Sequence, residues 1–178
     1  MDVTLRRVPR EEKSAFEAHF QDYLAELARL SGAHADRKGV YRYDILDSYW
    51  LGEDRMPFYV ECDGRPAGVL LLRVLPAKES AVGRESLQVA EISVFPAFRR
   101  RSVGRRAMEL VAEMAAERQL PLTWSAYMNN QPANALYRSV LAVFRDRDES
   151  WEVERSRGID RTGLARYYYR MTPPTVSV

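Results

Sequence analysis

Residues 90–107 read AEISVFPAFRRRSVGRRA, and the way this run divides places most of the chain around it. The alternation Glu91, Ile92, Ser93, Val94, Phe95 predicts a strand that stops at Pro96. Arg99, Arg100, Arg101, Arg105 and Arg106 follow, with Gly104 among them. A helix then begins, with Val103, Ala107, Leu110, Val111 and Met114 on one stripe and an end near Arg118. The first N–H groups of a helix have no intrahelical partner, and the helix dipole favours negative charge. A strand, a basic turn and a helix start therefore make an anion site. The anion is either a phosphate-bearing ligand or a nucleic-acid backbone.

Upstream, residues 3–7 predict a short strand. Pro9, Glu11 and Glu12 suit a helix start. Phe16, Phe20, Tyr23, Leu24, Leu27 and Leu30 keep helical spacing until Ser31-Gly32 stops it. Residues 33–55 predict a polar and aromatic loop with a short helix near 44–51. Strands at 57–62 and 67–74 flank Asp63-Gly64, a pair that supplies the positive φ of a tight hairpin. The strand of the opening stretch runs over 87–95. Downstream come a strand at 122–127 and a helix from Pro132, with Ala133, Leu136, Tyr137 and Val140 on one side. Two antiparallel strands, 142–155 and 164–172, joined around Arg157-Gly158-Ile159-Asp160, complete the chain. Two hairpins exclude an all-parallel sheet. The fold class is α/β in the α+β sense: a central mixed, mostly antiparallel sheet flanked by helices. Residues 1–172 read as a single domain and 173–178 as a loose tail.

The 178 residues suffice for one sizeable core. The net charge of +2 gives no whole-chain case for nucleic acid, and only the local arginines argue for it. Cys62 is the only cysteine, which excludes an internal disulfide and a thiolate zinc cluster. That fits a reducing cytoplasm. Neither an apolar signal core nor a run of roughly 18 apolar residues is present, so no membrane is expected. His19 and His34 lack metal-ligand spacing, and no metal is expected. Cys62, in a strand beside a turn, reads as an inert thiol.

Two motifs carry a family resemblance. The first is Arg99-Arg100-Arg101-Ser102-Val103-Gly104; the second is Asn130-Gln131-Pro132-Ala133-Asn134-Ala135-Leu136-Tyr137. With the element order, they resemble the GNAT superfamily of N-acetyltransferases. The first resembles the family's acyl-CoA pyrophosphate loop, Gln/Arg-x-x-Gly-x-Gly/Ala, and departs at Ser102, where the family usually has glycine. The second resembles Asn-x-x-Ala-x-x-x-Tyr and matches at Asn130, Ala133 and Tyr137. The family's Leu-Gly-Phe after this helix is replaced by Val140-Leu141-Ala142. The likeness spans roughly residues 56–141.

The resemblance implies acetyl-CoA as co-substrate. The loop from Arg99 through Arg100, Arg101, Ser102, Val103 and Gly104 to Arg105 would hold its pyrophosphate. Backbone groups of Ser93, Val94 and Phe95 would pair with the cofactor arm where this strand splays from the next. An N–H near Val94 would polarise the thioester carbonyl. Tyr137 would protonate the leaving thiolate; as a residue it fits a packed core tyrosine equally. Asn130 would either bond to the arm or cap its helix. Glu91 shares a strand face with Ser93, opposite Ile92 and Val94. Burial there would raise its pKa toward that of a useful general base; an ordinary paired strand carboxylate is the plain alternative.

The acetyl acceptor implied by the resemblance is a small-molecule or peptide amine. It would lie between Tyr41, Tyr43, Asp44, Asp47, Tyr49 and Trp50 on one side and Asp146, Asp148, Glu149, Trp151 and Glu152 on the other. Arg145, Arg147 and Arg155 interrupt that second, acidic run. A non-catalytic acyl-CoA-binding module on the same fold is the rival reading, because both motifs bear mainly on binding. Duplex binding through the arginines would show steep salt dependence. The last strand offers an edge on which two copies could pair.

Overall fold

The computed structural model describes residues 1–147 and 151–175. Asp148, Glu149 and residues 176–178 of the expected tail lie outside the described residues. Seven strands form one sheet in the order β1-β2-β3-β4-β5-β7-β6. They are β1 (Val3–Arg7), β2 (Arg55–Cys62), β3 (Arg65–Leu75), β4 (Ser86–Val94), β5 (Leu122–Tyr127), β6 (Glu152–Ile159) and β7 (Ala165–Thr172). Three helices flank it: α1 (Lys13–Ser31), α2 (Val103–Glu117) and α3 (Gln131–Arg147). All strand pairs are antiparallel except β4 with β5. This is the expected mixed sheet.

The helices divide between the two faces. On one, Phe16, Phe20 and Leu24 of α1 pack on Tyr59, Val69 and Leu71 of β2 and β3. On the other, Val103, Ala107, Met108 and Val111 of α2 and Tyr137, Val140 and Phe144 of α3 pack on Leu70, Leu72, Leu87 and Trp124. Full burial of side chains such as Phe16 and Phe20 contributes roughly 1.5–3 kcal/mol each. Gly32 ends α1 with φ +74°, and Asp63-Gly64 turns β2 into β3 with φ of +50° and +73°. Both are left-handed positions, where a β-carbon is costly.

Two features of β4 set up the site. The β3–β4 register shifts between Leu71, opposite Glu91, and Leu72, opposite Val89, so Ala90 is an extra, bulged residue. A bulge re-aims the side chains beyond it. Here Ala90 and Glu91 both turn toward α1, while Ile92 and Val94 pack toward α2 and α3. Secondly, β4 pairs with β5 only at Leu87–Leu122 and Gln88–Thr123. Beyond Gln88 the two strands part and the sheet is split.

Near the C-terminus two expectations are corrected. The expected strand over 142–155 is helix to Arg147, because Leu141 and Phe144 continue the buried stripe of α3. β6 therefore starts at Glu152. Gly158 lies inside β6, opposite Arg166. The turn is made by Asp160, whose Oδ1 accepts from the N–H groups of Thr162 and Leu164, with Gly163 at φ +83°.

Candidate active site

A cavity of about 850 Å³ opens at the split, walled by α1, the end of β4, the start of α2 and the start of α3. Ser93, Val94, Arg99, Arg100, Ser102, Val103, Gly104, Arg105, Asn130 and Tyr137 all line it. Residues that the sequence separates widely thus meet at one place.

The basic turn forms the cavity's polar end. Arg100 and Ser102 are held at φ +59° and +60°. Successive N–H groups around such left-handed residues converge into an anion-binding concavity. Arg106 N–H is engaged by Ser102 C=O, and no side chain caps α2. The N–H groups of Val103, Gly104 and Arg105 are consequently without helical partners. Ser102 stands where the family's loop usually has glycine, in the conformation that glycine adopts most easily. A β-carbon on Gly104 would lie 3.1 Å from Leu136 Cδ2 and 3.2 Å from Val94 Cγ2, so this glycine lets α2 approach β4 and α3.

The five arginines differ in what they hold. Arg99 donates from Nε to Val94 C=O at 2.7 Å and from one terminal nitrogen to both Glu26 oxygens at 2.9 and 2.7 Å. Arg105 and Arg106 lie at 3.7 and 3.3 Å from the buried Glu109, and Arg106 also reaches Glu113. Arg100 and Arg101 are exposed and pair with no carboxylate among the described residues. They are the cations left for a phosphate, although Arg101 does not line the cavity.

At the far end the edge of β4 is exposed by the split. Phe95 N–H donates to Ala67 C=O, and Phe95 C=O accepts from Phe98 N–H. Both of its backbone groups are engaged, and its ring packs on His19 with centroids 4.7 Å apart. The structure does not bring Phe95 to the cavity. Strand groups alternate direction, so Ser93 shares the β3-facing side with Phe95. The N–H groups of Ile92 and Val94 face the gap that β5 has left. Ile92 lines the cavity and was missed by sequence reasoning; its signal was the two-residue period itself.

Glu91 is half-buried and accepts a hydrogen bond from the Tyr23 hydroxyl. Burial raises its pKa; the Tyr23 and Tyr43 hydroxyls and the charge of Arg166 pull the other way without cancelling the rise. Tyr137 is buried and packs edge-on against Trp124 and Tyr169, with centroids 5.8 and 5.3 Å away. Burial, and then the charge of Glu91, push its phenol above the ordinary tyrosine value. It is therefore protonated throughout the neutral range. Asn130 Oδ1 accepts from Ala133 N–H at 3.2 Å, so the helix-cap role is observed while the residue also lines the cavity. Asn134 anchors α3: its Nδ2 donates to Tyr127 C=O at 2.9 Å and its Oδ1 accepts from Tyr169 Oη at 2.8 Å.

Among the described residues, the aromatic side chains of the two segments expected to enclose an acceptor pack on opposite faces of the sheet. Tyr41, Tyr43, Tyr49 and Trp50 pack on the α1 face of the sheet, whereas Trp151 packs against Phe144 on the other. Asp44 pairs with Arg42, and Asp47 with Lys13. Instead, Tyr23 and Tyr43 approach Glu91. A tyrosine within the phenylalanine and leucine stripe of α1 was the available signal for the first.

Among the described residues no helix is long and apolar enough to cross a membrane, and no three His, Cys, Asp or Glu side chains converge as a metal site. Residues 15–141 match the model of the acetyltransferase (GNAT) family. No curated protein matches by sequence. Several solved structures match over nearly all of both chains. An acetyltransferase from Thermus thermophilus is 18% identical, with a TM-score of 0.64 over 96% of this chain and 97% of that one. Arabidopsis thaliana NAA60 in complex with acetyl-CoA is 13% identical, with a TM-score of 0.61 over 95% and 97%. The ribosomal-protein-S18-alanine N-acetyltransferase of Escherichia coli is 15% identical, with a TM-score of 0.60 over 99% and 97%. At these identities the likeness is one of fold.

Proposed function

We propose that this chain, which belongs to the acetyltransferase (GNAT) family, is an acetyl-CoA-dependent N-acetyltransferase acting on an amine by direct attack. The observation that carries the reading is the one cavity in which an anion cradle, an open strand edge and Tyr137 meet, with Glu91 beside it. The N–H groups of residues 102–105 and the unpaired Arg100 and Arg101 would hold the pyrophosphate. Ile92 and Val94 would pair with the arm, and Val94 N–H would stabilise the oxygen of the thioester. Removing such a donor typically costs about 10²–10³ in rate. A thioester supplies an activated acetyl group with a thiolate as leaving group.

The remaining work falls to two side chains. Glu91 takes a proton from the acceptor ammonium and frees the nitrogen lone pair. The nitrogen–carbon bond forms and the carbon–sulfur bond breaks, its electron pair passing to sulfur. Tyr137 gives its proton to that sulfur and is restored by the second proton that the nitrogen loses. The products are an N-acetyl amide and free CoA thiol, and the proton on Glu91 leaves to solvent. Free-thiol release from acetyl-CoA across a panel of amines tests this. Wild type releases thiol with at least one amine, and Tyr137→Phe lowers kcat about 10²–10⁴-fold. Tight acetyl-CoA binding without turnover on any amine would establish the binding-module reading instead.

A further inference from the structure

A second cavity, of about 260 Å³, lies beside the split. Its walls include Arg73 of β3, Gln88 of β4, and Thr123 and Ser125 of β5, with Tyr168 and Arg170 of β7. The register places Arg73 opposite Gln88, and Leu71, two residues back on β3, opposite Glu91. Glu91 is therefore one pleat step, roughly 7 Å, along the same face from Gln88. From the opposite side of the split, Arg166 approaches Glu91 electrostatically and donates to Ser125 Oγ at 3.2 Å. Tyr43 and Tyr49 lie in the fields of both Glu91 and Arg73.

The charges here are not all neutralised internally. Arg170 is paired with Glu154, and Arg166 with Asp160. Arg73 donates from Nε to Gln88 Oε1 at 2.6 Å, and no carboxylate lies within ion-pair distance among the described residues. Glu79 also lines the cavity but does not reach it. The cavity thus presents a cation with no ion pair among the described residues, one step from an anion. It is also smaller than the roughly 300–1,000 Å³ of sites for drug-sized ligands.

We infer that this cavity is the acceptor subsite and that the acceptor is of amino-acid size, its ammonium held at Glu91 and a carboxylate at Arg73. The inference rests on the acetyl-transfer reading for what happens to the amine, but its recognition half stands without turnover. A free amino acid carries the carboxylate; its amide keeps the amine, loses the charge and mimics a peptide N-terminus. The test presents the twenty standard amino acids and their amides to the full chain with acetyl-CoA, and in parallel titrates them calorimetrically against the chain loaded with CoA. At least one amino acid is expected to exceed its amide about ten- to hundredfold in kcat/KM, the worth of a charge-assisted hydrogen bond. Arg73→Gln is expected to collapse that ratio through KM. The wild-type ratio is a readout that does not depend on the variant folding. Turnover of amides as fast as of acids, or an acid preference that survives Arg73→Gln, would overturn the subsite while leaving acetyl transfer intact. Amino-acid binding that Arg73→Gln abolishes, with no acetylation of any amine, would support the subsite and overturn the catalytic reading. Neither binding nor turnover of any amino acid would overturn the subsite.

Discussion

At the scale of single residues, the proposed chemistry rests on one carboxylate and one phenol whose environments push both pKa values upward. Glu91 holds its proton to a higher pH in the folded state than in the unfolded chain. Folded molecules then bind more protons than unfolded ones in the interval above the ordinary glutamate value of about 4.3, so stability falls as pH rises through that interval. Glu91→Gln removes this slope, and urea denaturation of both proteins across a pH series measures it. As a base Glu91 must be ionised. The kcat/KM of wild type therefore rises with pH, with a midpoint above the usual glutamate range, and Glu91→Gln loses about 10²–10⁴-fold. That Glu91 shares a strand face with Ser93 was legible from the alternation. Its partners were not: Tyr23 sits 68 residues away on α1. Arg99 shows the same limit from the other side. The motif assigns it to phosphate, whereas Glu26 and Val94 C=O hold it, contacts that no local pattern encodes.

At the scale of elements, the close approach of β3 to β4 fixes where the site lies. A β-carbon on Gly68 would sit 2.3 Å from Ser93 C=O, a backbone atom that can yield only if β4 moves. Gly68→Ala should destabilise by about 1–3 kcal/mol, as overpacking does, and should weaken acetyl-CoA binding because the edge at Ile92 and Val94 shifts with it. Urea denaturation and calorimetry check the two halves separately. The helices and most strands were readable because apolar period and turn residues agree along the chain. Three element-level features were not. The Ala90 bulge arises from pairing with β3. The split after Gln88 arises from the divergence of β5. The placement of β7 between β5 and β6 is a choice among pairings that two similar strands leave open. The extension of α3 to Arg147 was readable: Leu141 and Phe144 carry the helical period on from Tyr137.

At the scale of the molecule, the split sheet separates two cavities, one reached past the basic turn and one on the sheet face near Glu91. On the proposed reading the larger is an acetyl-CoA site, and the reacting atoms lie where the two approach. Acetyl-CoA at a hundred times its Kd should then stabilise the chain by about 2.7 kcal/mol. For a chain of this size that is a rise in Tm of roughly 5–11 °C, seen by calorimetric melting. Direct attack makes a sharper demand, because the acetyl group must never reside on the protein. The deciding measurement is a rapid-quench single turnover. The protein is mixed with acetyl-CoA labelled in the acetyl group, and an amine acceptor identified by thiol release is added. Direct attack predicts that label moves from acetyl-CoA to the amine in one exponential phase, with none attached to protein at any time. Labelled protein that forms and decays at the rate of turnover, or label that stays on acetyl-CoA, would contradict it.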